Sequence, residues 1–155
     1  MAGSRWTYEA AWWMVTALIC LLIYWRLDDG LVENPYLFRN MAAIVIFVTA
    51  TRWIFLYRLT PYAHSYVVMG LLAVLALPLF FYVLGNYRSF KMFWDAGEVI
   101  PLVAGDGYDD RIGMASFFRR EMIFFSVGSL VALVILPFKL VSTAWKTYNR
   151  SDSVK

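Results

Sequence analysis

The sequence has very few of the side chains from which cofactor and disulfide sites are built. It contains one cysteine, Cys20, and one histidine, His64, in 155 residues. A disulfide within the chain and a haem held by two of its histidines are therefore excluded. A zinc site made by this chain alone is not favoured either, because such sites are built chiefly from cysteine and histidine.

Charge is also scarce. Only 16% of the residues are charged, 61% are hydrophobic, and the mean hydropathy is +0.60. Soluble domains are about half apolar and about a quarter charged, so this composition predicts an integral membrane protein. The net charge is +3, with no basic cluster to carry it. Binding to nucleic acid is therefore not expected.

Catalytic patterns are missing as well. We find no nucleophile elbow, no phosphate-binding loop and no Cys/His cluster. No Asp or Glu lies in the central part of any long apolar run. Proton relays in membranes usually need such carboxylates, which argues against a proton-driven transporter. The sequence therefore favours a protein that is not an enzyme.

What the chain does have is four long apolar runs, each long enough to cross a bilayer as a helix. Asn34-Pro35 and Thr60-Pro61 precede two of them as helix-start signals, and Gly85-Asn86 follows the third as a stop signal. The predicted spans are 8–25, 36–57, 62–84 and 122–141. We therefore predict one all-α domain over residues 1–155, with four transmembrane helices in a bundle.

The connector 86–121 between the third and fourth spans is the longest segment outside them. Its first part, Tyr87–Ile100, alternates polar and aromatic positions at helical spacing until Pro101. The polar positions are Arg88, Lys91, Asp95 and Glu98, and the aromatic positions are Phe90, Phe93 and Trp94. We interpret this part as an amphipathic helix in the membrane interface. A docking surface for a partner subunit would show the same pattern.

Arginines at the ends of the spans are the candidate contacts for an anionic headgroup or a partner. Arg52 lies closest to the predicted midplane, about 6 Å from it. It is expected either to snorkel or pair with a neighbouring helix, or to bind an anionic group. The candidates are Arg39, Arg52, Arg88, Arg119 and Arg120.

The connector also holds an acidic turn with Asp106, Asp109 and Asp110. These three carboxylates are weak candidates for a hard cation, because their spacing does not match a calcium-binding loop. The alternative is a solvated turn in which Asp109 or Asp110 caps the next helix. No metal site is therefore predicted.

Two further patterns concern packing and orientation. Gly128 and Ala132, with Ser129 beside them, form a small-residue face that favours close helix packing. Four spans place both termini on one side of the membrane. Seven basic residues then lie on each side, but two acidic residues lie on the terminal side and nine on the other. This balance favours cytoplasmic termini, and we expect the cytoplasmic (inner) membrane of a bacterium.

The size, the aromatic content and the lack of a catalytic set indicate an accessory or scaffold subunit of a larger respiratory, secretion or transport assembly. Its partners would be membrane lipids and other membrane subunits or further copies of itself. The alternative is a lipid- or quinone-binding protein or enzyme that uses the arginines and aspartates of the connector. No cofactor is predicted, although a bound lipid or quinone fits this alternative.

Overall fold

A computed structural model describes residues 2–61, 65–104 and 107–152. This part of the chain forms four α-helices: α1 (Ala2–Gly30), α2 (Leu37–Leu56), α3 (Tyr66–Asp95) and α4 (Tyr108–Asp152). Short 3-10 turns follow α2, at Tyr57–Leu59, and precede α4, at Ile100–Leu102. All four helices are long and apolar enough to cross a membrane. The predicted all-α class and the prediction of four helices of membrane-crossing length are thus confirmed.

Helix α3 continues further than its sequence predicts. It runs through Gly85 and Asn86 to Asp95, so the predicted stop at Gly85 is wrong. The only described residue with positive φ is Gly97, at 74°, and its N–H donates to the Trp94 carbonyl at 3.0 Å. Gly85 lies within the helix and does not interrupt it. Gly97 adopts the left-handed conformation, at which helices commonly end.

The residues predicted to form a separate interfacial helix are consequently the last turns of α3, followed by a turn. Their position in a membrane interface stays a prediction. The start of α2 also differs, since the helix begins at Leu37. Asn34 does not cap it but accepts the Tyr36 N–H at its Oδ1, at 3.1 Å, which is the local turn that asparagine favours.

Helix α4 packs against both α2 and α3. Away from the connector, the three helices share a buried apolar cluster consisting of Ala50, Tyr57, Met69, Ala76, Val83, Ala132, Leu133, Leu136 and Leu140. The predicted small-residue face lies in the contact between α2 and α4. The fully buried Ser129 hydroxyl donates to the Ala43 carbonyl at 2.9 Å, and Gly128 faces the ring of Phe47.

We expect Gly128→Ala to weaken this contact. A Cβ at Gly128 would lie 2.7 Å from Phe47 Cε2, so the ring, which also contacts Phe124 and Phe125, would have to move. Such overpacking costs about 1–3 kcal/mol. The matched control is Gly113→Ala in the same helix, where a Cβ meets nothing within 4 Å. Both variants gain about 1 kcal/mol of helix propensity.

Unfolding of the two variants in detergent, followed by circular dichroism, should therefore show Gly128→Ala to be the less stable by about 1–3 kcal/mol. Equal stability of the two variants would mean that the Phe47 ring moves aside without a cost in free energy. A Phe47→Leu exchange should remove most of the difference, because it shortens the side chain that the new methyl group meets.

Candidate functional site: the connector end and two buried carboxyl groups

The connector closes one end of the helices through an apolar cluster, which we call the cap cluster. Every α-helix or its adjoining loop contributes to it. Its buried members are Leu27, Leu31, Tyr36, Phe90, Val99, Val103, Met114, Ala115, Phe118 and Met122. The segment after α3 therefore folds back over the helix ends and joins the α1–α2 loop.

Backbone hydrogen bonds fix this fold-back. The Val32 N–H donates to the Leu102 carbonyl at 2.8 Å, and the Ala104 N–H donates to the Gly30 carbonyl at 3.0 Å. Together they form an antiparallel bridge between Leu31 and Val103. Buried backbone groups need such partners, so the two loops stabilise each other.

The aromatic stripe of α3 points into the cap cluster. Phe90 is 2% exposed, and its ring centroid lies 5.6 Å from that of Tyr36 and 5.3 Å from that of Phe118. Phe93 and Trp94 are half-buried beside it. The Tyr36 hydroxyl donates to the Ser89 carbonyl at 3.0 Å. These rings therefore join α3 to α2 and α4.

Two of the predicted arginines lie over the rings of this end. The guanidinium carbon of Arg39 is 5.2 Å from the ring centroid of Tyr36, and that of Arg119 is 5.1 Å from the ring centroid of Trp94. Arg26, which the sequence did not single out, lies 5.8 Å from the ring centroid of Phe117. Such cation–π contacts orient exposed guanidinium groups. Arg88 and Arg120 are exposed at the same end, and within the described residues no ring contact involves them.

The outer surface of this end carries exposed charges of both signs. The exposed basic side chains are those of Arg26, Arg39, Arg88, Lys91, Arg111, Arg119 and Arg120. The exposed carboxylates are those of Asp28, Asp29, Glu33, Asp95, Glu98, Asp109 and Asp110, and no ion pair between described residues engages any of them. Asp106 lies outside the described residues. No group of three potential metal ligands occurs in the described part of the chain. Asp109 and Asp110 occupy the first turn of α4, where the helix dipole favours negative charge.

Arg52 forms a buried ion pair at the opposite end of the molecule. Its Nη2 lies 2.8 Å from Oε1 of Glu9 in α1, and the two side chains are 4% and 12% exposed. The ring of Trp13 lies 5.8 Å from the guanidinium carbon. The sequence indicated a neighbouring helix as one possible partner but did not identify Glu9. Consecutive antiparallel helices place the start of α1 beside the end of α2, which is the signal that could have revealed this pair.

A second buried carboxyl group joins α2 to α4 nearer the connector. Asn40 Nδ2 donates to Glu121 Oε2 at 2.6 Å, and the residues are 0% and 7% exposed. Asn40 Oδ1 and Glu121 Oε1 have no further partner among the described groups. Cys20 on α1 lies close enough to Glu121 for an electrostatic interaction. Sequence reasoning missed this pair by assigning Glu121 to the membrane border, although helical spacing places it on the face of the buried Phe118 and Met122.

These contacts describe a molecule with one closed end, which exposes charges of both signs, and with two buried polar contacts between helices. Buried polar groups in membrane helices commonly fix helix positions or serve function. Comparison with known proteins supplies no activity to choose between these roles. The chain matches no protein-family model, no curated protein and no solved structure.

Proposed function

We propose that the protein is a non-catalytic accessory subunit of a larger membrane complex, and that it docks a partner through its connector end. The observation that carries this proposal is the ordered, charged outer surface built on the cap cluster, where Asp28, Asp29 and Glu33 form an exposed acidic patch. The larger complex would be a respiratory, secretion or transport assembly.

The fold of the connector supports docking. Long connecting segments on a stable scaffold are where proteins commonly place their binding residues. Here the bridge between Leu31 and Val103 and the burial of Val99 hold the connector against the helix ends. A segment that is already ordered loses less conformational entropy on binding, so the surface is suited to a stable contact.

Charge supports the type of partner. The end of α1 and the loop after it present three exposed carboxylates, Asp28, Asp29 and Glu33, without ion pairs among the described residues. A basic partner surface would complement this local patch. Charge complementarity of this kind speeds encounter and excludes partners of the wrong sign. The partner would therefore present lysine and arginine to this end.

We expect the tagged protein to purify from its native membranes in mild detergent with a stoichiometric protein partner, identified by mass spectrometry. The triple variant Asp28→Asn, Asp29→Asn, Glu33→Gln should reduce recovery of the partner about tenfold, because about 1.4 kcal/mol of lost attraction has that effect. The matched control is the triple variant Arg58→Gln, Lys139→Gln, Lys146→Gln, which changes three exposed charges at the other end and should leave recovery unchanged. Purification of the wild-type protein without any stoichiometric partner would contradict the proposal.

The ring contacts of Arg39 and Arg119 favour a second function, the binding of an anionic lipid headgroup at the connector end. If this function holds, Arg119→Gln should reduce the anionic lipid that co-purifies with the protein. Arg120→Gln is the control, because Arg120 is the neighbouring exposed charge and has no described ring contact. Equal losses in both variants would indicate general surface charge rather than a site.

A further inference from the structure

A groove opens on the outer surface at the end opposite the connector. It has a volume of about 310 Å³ and lies between the first turns of α3 and the last turns of α4. Its walls include Tyr66, Met69 and Gly70 of α3, and Val141, Ala144 and Trp145 of α4. Each set has the helical spacing of one face, so two apolar helix faces form the walls.

Gly70 accounts for part of the open space. A Cβ built at this residue meets nothing within 4 Å, so no neighbouring side chain fills the position. Tyr66 and Trp145 at the walls are 60% and 67% exposed. Tyrosine and tryptophan with this exposure are typical of the boundary between the apolar core of a membrane and its headgroups.

The surroundings of the groove determine what can fill it. Both walls belong to helices that are long and apolar enough to cross a membrane, so hydrocarbon chains are the solvent on their outer side. An acyl chain fits an apolar groove because it has no group that needs a hydrogen-bond partner. It also makes dispersion contacts that an unfilled groove lacks.

Charge at this end favours one class of lipid. Arg58, Lys139 and Lys146 are exposed here. Of the carboxyl groups whose side chains are described, only Glu9 lies at this end, and it is buried in its ion pair with Arg52. Basic residues near a membrane surface attract anionic headgroups by about 1 kcal/mol each.

We propose that the groove between α3 and α4 seats an acyl chain of an anionic phospholipid whose headgroup lies at the basic end of the molecule. This site lies at the end opposite the proposed docking surface and is independent of it. The lipid would fill the space at Gly70 and shield the apolar walls that α3 and α4 leave uncovered.

Lipid binding to the whole detergent-purified protein, measured by native mass spectrometry with added phosphatidylglycerol or phosphatidylcholine of the same acyl chains, tests the proposal. We expect phosphatidylglycerol to bind the wild-type protein several-fold more tightly than phosphatidylcholine. Gly70→Leu should weaken phosphatidylglycerol binding about tenfold, because the new side chain occupies the groove. Gly85→Leu is the matched control, since Gly85 is in the same helix and a Cβ there also meets nothing within 4 Å.

Unchanged phosphatidylglycerol binding in Gly70→Leu would overturn the assignment of the groove. Equal binding of the two lipids by the wild-type protein would overturn the anionic preference. A wild-type dimer that Gly70→Leu separates would show that a second copy, not a lipid, occupies the groove. Ala144→Leu fills the same groove from α4 and provides the test if Gly70→Leu does not fold.

Discussion

Arg52→Leu is expected to lower the free energy of unfolding by about 3–5 kcal/mol, the largest effect of any single substitution considered for this protein. The substitution removes the guanidinium that lies 2.8 Å from Glu9 and leaves that carboxyl group in a site where its side chain is 12% exposed. A buried charged group without its partner is costly because neither water nor protein solvates it. The measurement is unfolding in mixed detergent micelles, followed by circular dichroism.

The double variant Glu9→Leu, Arg52→Leu separates the loss of the pair from the cost of an unpaired group. Replacing both partners of a buried ion pair by apolar residues is often neutral. The double variant should therefore recover most of the stability that Arg52→Leu loses. Arg58→Leu, at an exposed position near the same end, should change stability by about 0.5 kcal/mol or less. A stable Arg52→Leu single variant would show that Glu9 finds another partner.

The consequence of Arg52→Leu should be local to α1. In its most apolar stretch 11% of α1 is buried, against 39% for α4. With so little apolar contact, α1 depends on its specific contacts to keep its place. The Glu9–Arg52 pair fixes its first half, and the fully buried Leu27 in the cap cluster fixes its second half. Proteolysis near the start of α1 should therefore be faster in Arg52→Leu than in the wild-type protein.

The four helices could be predicted from the sequence because apolar length is a property of each segment alone. The ends of the helices could be predicted less well. Gly85 and Gly97 are both plausible stops, and only the fold-back after Asp95 places Gly97 in the left-handed conformation. The helical spacing predicts that Phe90 belongs to an aromatic face. It does not predict that this face packs against Tyr36 and Phe118, because both are distant in sequence.

The buried pairs could not be predicted for the same reason. Glu121 lies next to the start of an apolar run, and Arg52 lies within one but can snorkel, so contact with water or headgroups is an equally good interpretation for both. Their burial follows from which helices become neighbours, and a single sequence does not specify this. Arg39 and Arg119 show the same limit. The sequence predicts that they contact an anionic headgroup or a partner, but it does not predict their contacts with the rings of Tyr36 and Trp94.

Asn40→Leu is the second substitution for which we expect a large effect, a loss of about 3 kcal/mol in the free energy of unfolding. Leucine has the same branched arrangement of heavy atoms as asparagine and larger terminal groups, so the change removes a hydrogen-bond donor without opening a cavity. Glu121 then keeps neither oxygen bonded within the described structure, since Oε2 loses Asn40 Nδ2 and Oε1 already lacks a partner. An unsatisfied buried acceptor costs more than the hydrogen bond contributes when it is made.

Two comparison variants show whether the lost hydrogen bond or the packing causes the change. Glu121→Gln keeps an acceptor for Asn40 Nδ2 and should be close to the wild-type protein in stability. Asn40→Leu, Glu121→Met removes both polar groups and should recover most of the loss, because apolar groups of similar shape can replace a buried hydrogen-bonded pair. If the double variant is no more stable than Asn40→Leu, the loss arises from packing between α2 and α4. Recovery would instead show that the loss arises from leaving Glu121 unpaired in the contact between α2 and α4.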